Sequence, residues 1–449
     1  MAKSKEVYVC QNCGAESPKW QGQCGACGEW NTLAAQTLRP RRAGDAPRPA
    51  GAQPTSTLAA QSGATPARLG TGSAELDRVL GGGLVRGSVT LLGGDPGIGK
   101  STLMLQAAAG LQPVASVLYA TGEESLQQVA MRGSRLGLDA AAARLIAATC
   151  VEEIIAAAAE AGAGVLIVDS IQTMYSEHIE SAPGAVGQLR ECTALLVRYA
   201  KTSGTAVLLV GHVTKDGQIA GPRVLEHMVD TVLYFESDTG SRFRVLRSVK
   251  NRFGAANEIG VFAMAEQGLR EVSNPSAIFL SRHAEPVPGS VITVLREGSR
   301  SLLIEVQVLA DGNAGGNPRR VAVGIDGNRM TMLLAVAHRH AGLELQGQDV
   351  FANVVGGVRI AETAADLAIV LAARSSLRDE PVAQSLVAFG ELGLAGEIRP
   401  VPFGEERLRE AAKHGFTAAI VPQANVPKRP PAGMRVQGVT RLQQALNAK

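Results

Sequence analysis

An α/β fold organised around a largely parallel sheet is the class this sequence predicts, on three observations. From about Arg68 to Val272, short β-branched or aliphatic runs alternate with alanine-rich helical stretches, the pattern of buried strands crossed over by helices. The segment Gly94-Asp95-Pro96-Gly97-Ile98-Gly99-Lys100-Ser101 fits G-x-x-x-x-G-K-[ST] and stands between one such run and a helical stretch beginning at Thr102. Glycine is abundant at 51 residues while aromatics make up only 4%, which suits strands and helices joined by glycine turns better than a disordered chain.

The length of 449 residues calls for several domains, since one domain usually holds about 100–200. A net charge of +3 gives no overall field that would mark a nucleic-acid binder, so any basic surface must be local. The start, MAKSKEVYVC, has no apolar stretch of signal-peptide length, and no run approaches the roughly 18 apolar residues of a membrane span. A soluble, cytoplasmic protein is expected.

Residues 1–32 form the first element. Four of the six cysteines lie here, as Cys10-x-x-Cys13 and Cys24-x-x-Cys27 separated by ten residues. Two such knuckles can each present a pair of thiolates to one tetrahedral Zn²⁺, a closed structural site with no position left for catalysis. Gly14 and Gly28 follow the second cysteine of each pair, where a tight turn is easiest for glycine. Trp20 and Trp30 supply almost the only large apolar surface, so the folding of this zinc finger should depend on the metal. Residues 33–67, rich in Ala, Pro, Gln, Ser and Thr, read as a flexible linker.

The next element, residues 68–273, offers strands at Val89–Leu92, Ser116–Ala120, Val165–Val168, Ala206–Val210 and Thr231–Phe235. In the glycine-rich loop, residues Gly94 to Thr102 wrap a nucleotide's phosphates so that backbone N–H groups face the anion. Lys100 reaches the β and γ oxygens, and Ser101 is placed to ligate magnesium. The strand Val165-Leu166-Ile167-Val168 ends in Asp169, whose carboxylate would hold a magnesium-bound water beside that loop. A third strand delivers Glu123 and Glu124, of which Glu123 is the favoured group for orienting or deprotonating the attacking water; the alternative is that the pair caps the helix starting near Ser125. A nucleotide whose base these residues do not encode, Mg²⁺ and Zn²⁺ are thus the expected cofactors.

The lead-in from Leu76 to Ser88, with its Gly81-Gly82-Gly83, resembles that of the RecA superfamily. With the N-terminal cysteines and Lys250-Asn251-Arg252-Phe253-Gly254, the whole chain resembles the RadA (Sms) family of bacterial DNA repair proteins, a zinc finger, RecA-like ATPase and Lon-like assembly. The resemblance implies a homo-hexameric ring ATPase on single-stranded DNA that promotes branch migration of branched recombination intermediates alongside the RecA recombinase. It implies ATP as the nucleotide, catalytic roles for Lys100, Glu123 and Asp169, and an intersubunit or DNA-contacting role for Lys250 and Arg252, which follow Arg242 to Val249, read as an edge-like strand. His212 falls where related motors place a γ-phosphate sensor or a DNA-coupling residue. Residues 213–222, with Lys215 and then Arg223, suit a channel loop tracking the DNA backbone.

Residues 274–449 form a second α/β region, with strands near Val291–Leu295, Leu303–Leu309, Asp349–Val355 and Leu386–Gly390 and helices near Met330–His340, Ala365–Ser376 and Glu405–His414. This region is similar to the proteolytic domain of Lon, which uses a Ser and Lys dyad. Alignment puts Ala364 at the nucleophile's position and Glu405 at the lysine's, and an alanine cannot attack a carbonyl. A scaffold without peptidase activity follows, with Arg296, Arg300, Arg319, Arg320 and Arg329 available to line a basic surface. A peptidase would need another pair, such as Ser375 or Ser376 with Lys413; a regulatory ATP-binding module without movement is the remaining reading.

Overall fold

The computed structural model describes residues 5–10, 15–38, 67–138, 143–212, 224–236, 242–280, 285–312 and 316–448. The chain forms two compact units, Met1–Val272 and Ser273–Lys449.

The first unit opens with β1 (Lys5–Cys10), β2 (Glu16–Ser17) and β3 (Leu33–Leu38), with β1 antiparallel to both others. Leu33–Leu38 was expected to be linker. It is a strand instead, because its backbone pairs along the whole of β1 and, on its other edge, with Ile179–Glu180 of the following domain. Composition does not report such pairing: the peptide groups form the ladder whatever small side chains they carry. The remainder of the expected linker, residues 39–66, lies outside the described residues.

After β4 (Arg68–Leu69), α1 (Ala74–Leu80) and β5 (Leu84–Val85) come the strands and helices of the main sheet. These are β6 (Val89–Gly94), α2 (Lys100–Leu111), β7 (Val117–Thr121), α3 (Leu126–Arg135), β8 (Arg144–Ala147), α4 (Val151–Glu160) and β9 (Val165–Asp169). Then follow β10 (Ile179–Glu180), α5 (Val186–Ser203), β11 (Ala206–Val210), α6 (Val224–Met228) and β12 (Thr231–Glu236). The antiparallel strands β13 (Phe243–Asn251), β14 (Ile259–Ala265) and β15 (Gly268–Glu271) complete the unit.

The sheet order is β15-β14-β13-β12-β6-β11-β9-β7-β8, parallel from β12 to β8. Every residue of β6, β7, β9 and β11 is buried, as strands covered by helices on both faces require. Alternate residues divide between two cores: Leu92, Tyr119, Ile167 and Leu208 pack toward α2, while Leu91, Leu118, Leu166 and Leu209 pack on the opposite face. β13 is not an edge. It pairs with β12 on one side and β14 on the other, and the three antiparallel strands extend the sheet beyond it.

The second unit holds a seven-stranded sheet ordered β18-β19-β17-β16-β20-β23-β24. Its strands are β16 (Ser290–Glu297), β17 (Arg300–Gly312), β18 (Arg320–Val323), β19 (Gln348–Val354), β20 (Leu386–Ala388), β23 (Ala418–Pro422) and β24 (Arg435–Val439), with a separate hairpin of β21 (Glu391–Leu392) and β22 (Ile398–Arg399). Helices α7 (Gly327–Ala341), α8 (Asp366–Arg378), α9 (Gly404–Lys413) and α10 (Leu442–Leu446) complete it.

Candidate active site and metal centre

Strand register brings the predicted residues to one edge. Leu92 lies opposite Val210, and Thr121 lies opposite Asp169, so β6, β7, β9 and β11 all end at the same level. The carboxyl edge of a parallel sheet is where such folds hold ligands.

β6 runs into the loop Gly94 to Gly99, and α2 begins at Lys100, two residues earlier than the expected Thr102. Gly99 has φ +115°, a conformation natural to glycine, and a Cβ there would meet Met264 Cε at 2.9 Å. Asp95, Pro96 and Gly97 are exposed, whereas Ile98 is buried and Ser101 and Thr102 are half-buried. Lys100 is buried and donates from Nζ to the carbonyls of Gly94 at 2.7 Å and Asp95 at 2.9 Å. Burial lowers its pKa below the usual lysine value, against the attraction of Asp169, Asp95 and Glu123. Those three acids therefore share the lysine's surroundings.

Asp169 is nearly buried, at 8% exposure, and its Oδ2 accepts from Tyr119 Oη at 2.5 Å. The Asp169–Ser170 peptide is cis. Ser170 Oγ donates to Glu123 Oε1, and His212 Nε2 stands 3.1 Å from the same oxygen. Gln172 Nε2 donates to the His212 carbonyl at 3.2 Å. Asp169 Oδ1 and Glu123 Oε2 take no hydrogen bond among the described residues, so each carboxylate is anchored through one oxygen. Gln172 Oε1 and His212 Nδ1 are likewise buried without a partner among the described residues. The glycine loop with Lys100 and the two half-anchored carboxylates fit a magnesium nucleotide, which Lys100, Ser101 and Asp169 would hold.

The two adjacent acids separate cleanly. Glu124 pairs with Arg132, and Thr121 Oγ1 donates to its carbonyl at 2.9 Å, while only Glu123 faces Ser170 and His212. Neither caps α3; Ser125 does so through a capping box with Gln128. Gly122 allows the turn, since a Cβ there would fall 2.2 Å from Thr173 Oγ1.

Lys250 and Arg252 are engaged within their own subunit. Lys250 Nζ donates to the carbonyls of Glu226 at 2.7 Å and Val229 at 2.9 Å, at the end of α6. Burial, and then the neighbouring Arg252, lower its pKa. Arg252 Nη1 lies 3.3 Å from Asp230 Oδ1, and Lys201 holds the other oxygen at 2.7 Å. Sequence reasoning assigned no role to Tyr119, Ser170, Gln172 or Arg244, whose Nε donates to the Ile98 carbonyl at 3.3 Å. No spacing marks these contacts, which join strands distant in sequence. The loop 213–222, with Lys215, and Arg223 lie outside the described residues.

In the N-terminal sheet the sulfurs of Cys10, Cys24 and Cys27 lie within 4.8 Å of one another, and Cys10 Sγ is 3.7 Å from Cys27 Sγ. Zn–S bonds of about 2.3 Å in a tetrahedron put sulfurs about 3.8 Å apart, so the cluster matches a structural zinc ribbon. Cys13 lies outside the described residues. Gly28 has φ +75° and donates its N–H to the Cys24 carbonyl at 2.8 Å, closing the second knuckle. Trp20 and Trp30 are exposed; the small core is Cys10, Cys24 and Leu33.

In the second unit Ala364 is buried and Glu405 is exposed, paired with Arg409 at 3.0 Å. What joins their two segments is Glu362 with Arg407, at 2.8 and 2.7 Å. Ser375 Oγ donates to the Glu380 carbonyl at 2.6 Å and accepts from Gly289 N, Ser376 Oγ accepts from Ala310 N, and Lys413 pairs with Glu410. Of the arginines expected to line a basic surface, Arg319 is exposed, and Arg296, Arg300, Arg320 and Arg329 are half-buried with partners in their own unit. Arg329 pairs with buried Asp366, Arg320 donates to the Leu345 and Gln348 carbonyls, and Arg296 stacks 3.7 Å over Phe403. Arg300 donates to the Ser273 carbonyl at 3.3 Å.

Fold and site define a RecA-like P-loop ATPase preceded by a zinc ribbon and followed by a Lon-like domain. Residues 54–218 match the AAA domain, residues 8–35 the rubredoxin metal binding domain, and residues 329–425 subunit ChlI of Mg-chelatase. DNA repair protein RadA of Pseudomonas aeruginosa is 58% identical over 450 residues, spanning 100% of this chain and 99% of that protein. The Escherichia coli protein of the same name is 55% identical over 455 residues, covering 100% and 99%, and that of Bacillus subtilis 48% over 452, covering 99% of each. The chain belongs to the RadA family of DNA repair proteins. No helix among the described residues is long and apolar enough to cross a membrane.

Proposed function

We propose that this chain is a cytoplasmic DNA-dependent ATPase of recombinational repair, working as a homo-hexameric ring on single-stranded DNA and promoting branch migration of recombination intermediates together with RecA. The observation that carries the reading is the convergence of Lys100, Asp169 and Glu123 at one sheet edge, where the acids lie close enough to Lys100 to oppose its loss of charge.

ATP with its magnesium supplies the scissile phosphoanhydride and the cation that neutralises it. Lys100 and the backbone amides of the Gly94–Thr102 loop hold the phosphates, while Ser101 and Asp169 hold the metal side. Glu123, fixed through Oε1 by Ser170 and His212, offers Oε2 to orient or deprotonate the attacking water. His212 joins that acid to the strand leading into 213–222, a route by which hydrolysis reaches DNA. Lys250 and Arg252 serve the adjoining subunit's nucleotide, with Lys250 leaving the carbonyls of α6 on assembly. The Lon-like unit acts as a scaffold without peptidase activity, as the alanine at position 364 and the glutamate at 405 support.

The deciding experiment measures ATP hydrolysis with and without single-stranded DNA for the wild type and Lys100→Ala. DNA-stimulated turnover that the substitution abolishes in a folded protein is expected; stimulated hydrolysis that persists in Lys100→Ala refutes the motor reading.

A further inference from the structure

We infer that Tyr119 is a positioning residue for Asp169, its hydroxyl locking the carboxylate so that Oδ1 is presented to the metal side of the nucleotide. The inference rests on the magnesium nucleotide reading of the site.

Tyr119 sits in the middle of β7, 1% exposed, in the core beneath α2. A phenylalanine would fill that space equally well, so packing does not account for the hydroxyl. In register Tyr119 lies opposite Ile167, two residues before Asp169 on the neighbouring strand, and its ring spans that offset to reach Oδ2 at 2.5 Å. This is the one side-chain hydrogen bond to the Asp169 carboxylate among the described residues. A nearly buried carboxylate without it would carry both oxygens undirected, free to turn about its terminal torsion, which has broad wells.

The phenol O–H is the donor of this contact and the carboxylate oxygen its acceptor. Lys100 Nζ, held by the Gly94 and Asp95 carbonyls, lies in the glycine loop where a nucleotide's phosphates would sit. One oxygen spent on the protein and one left for the ligand is the arrangement by which outer partners orient metal-binding carboxylates, and removal of such a partner costs about 10–100-fold in metal affinity or activity.

The test titrates Mn²⁺, read by electron paramagnetic resonance, into the full-length zinc-loaded protein saturated with a non-hydrolysable ATP analogue. Tyr119→Phe is expected to weaken nucleotide-dependent Mn²⁺ binding about tenfold, to lower ATP turnover at limiting Mg²⁺, and to recover turnover at high Mg²⁺. In an Asp169→Asn background the same substitution should add nothing, since the hydroxyl acts through that carboxylate. Unchanged Mn²⁺ affinity in Tyr119→Phe, with a lowered melting temperature alone, assigns the hydroxyl to stability and overturns the inference while leaving the ATPase reading intact. A further loss on the Asp169→Asn background overturns it as well. Absence of nucleotide-dependent Mn²⁺ binding in the wild type overturns the reading of the site and this role with it.

Discussion

Arg407 grips Glu362 with two prongs, Nη1 and Nη2 standing 2.8 and 2.7 Å from the two carboxylate oxygens, and its side chain is 1% exposed. The pair ties the segment before Ala364 to α9, the two segments that supply the peptidase dyad in the domain this unit resembles. Arg407 also donates to the carbonyls of Val294 and Pro402, and Arg296 N donates to Glu362 at 2.7 Å. A structural knot thus holds these two segments together.

Arg407→Ala should destabilise the second unit by about 1–3 kcal/mol, because it leaves Glu362 with only the Arg296 N–H and takes a donor from the Val294 and Pro402 carbonyls. Thermal unfolding checks this. Arg407→Lys should not restore stability, since an ammonium lacks the planar fork. A fluorophosphonate probe should leave the wild type unlabelled.

The two acids after β7 should behave differently. Glu123→Gln is expected to lower single-turnover ATP hydrolysis by about 10²–10⁴ with nucleotide binding retained. Glu124→Gln removes only a partly exposed pair with Arg132, a loss of no more than about 1 kcal/mol in stability, and should leave turnover within a few-fold. Rapid-quench measurements on both variants check the contrast.

Subunit mixing checks the role of Lys250. Lys100→Ala and Lys250→Ala should each be inactive alone, since a cation inserted toward the transferring phosphate contributes about 10³–10⁵ in rate. Mixed, they should recover ATPase activity where an intact loop faces an intact Lys250. If Lys250 serves only to cap α6 through Glu226 and Val229, the mixture stays as inactive as its parts.

Thiol labelling separates the two classes of cysteine. Burial pushes Cys192 up to about 12 and raises Cys150 as well, so both stay protonated and unreactive at neutral to mildly alkaline pH. Folded protein stripped of zinc by a chelator should therefore take up alkylating reagent at the ribbon cysteines alone, and zinc should protect them. Mass spectrometry of the digested protein locates the label. The sign for Cys192 follows from its raised pKa: its protonated state contributes stability at and below the ordinary thiol range, and that contribution fades as pH rises toward about 12.

Five of the six parallel strands were legible because burial demands continuous aliphatic runs: Val89, Val165, Ala206 and Thr231 begin them in the structure as in the sequence, and the run expected from Ser116 begins at Val117, whereas the partly exposed β8 was not legible. Lys100, Asp169 and Glu123 were legible because each follows a strand at a position that phosphate and metal chemistry restricts. Leu33–Leu38 was not, since its pairing with β1 and with Ile179–Glu180 uses peptide groups that every residue shares. The interior place of β13 was equally hidden, because alternating arginines read as an exposed edge until β14 covers that side.

Local chemistry alone determined the strand-and-helix alternation, the phosphate loop and the metal ribbon, since each is written in adjacent residues or short spacings. Tertiary structure decided which of Glu123 and Glu124 faces Ser170 and His212, that the Tyr119 hydroxyl reaches Asp169, and that Lys250 and Arg407 meet partners within their own units. These depend on strand register and on contacts between residues tens of positions apart, which only the closed packing of the sheets brings within hydrogen-bond reach.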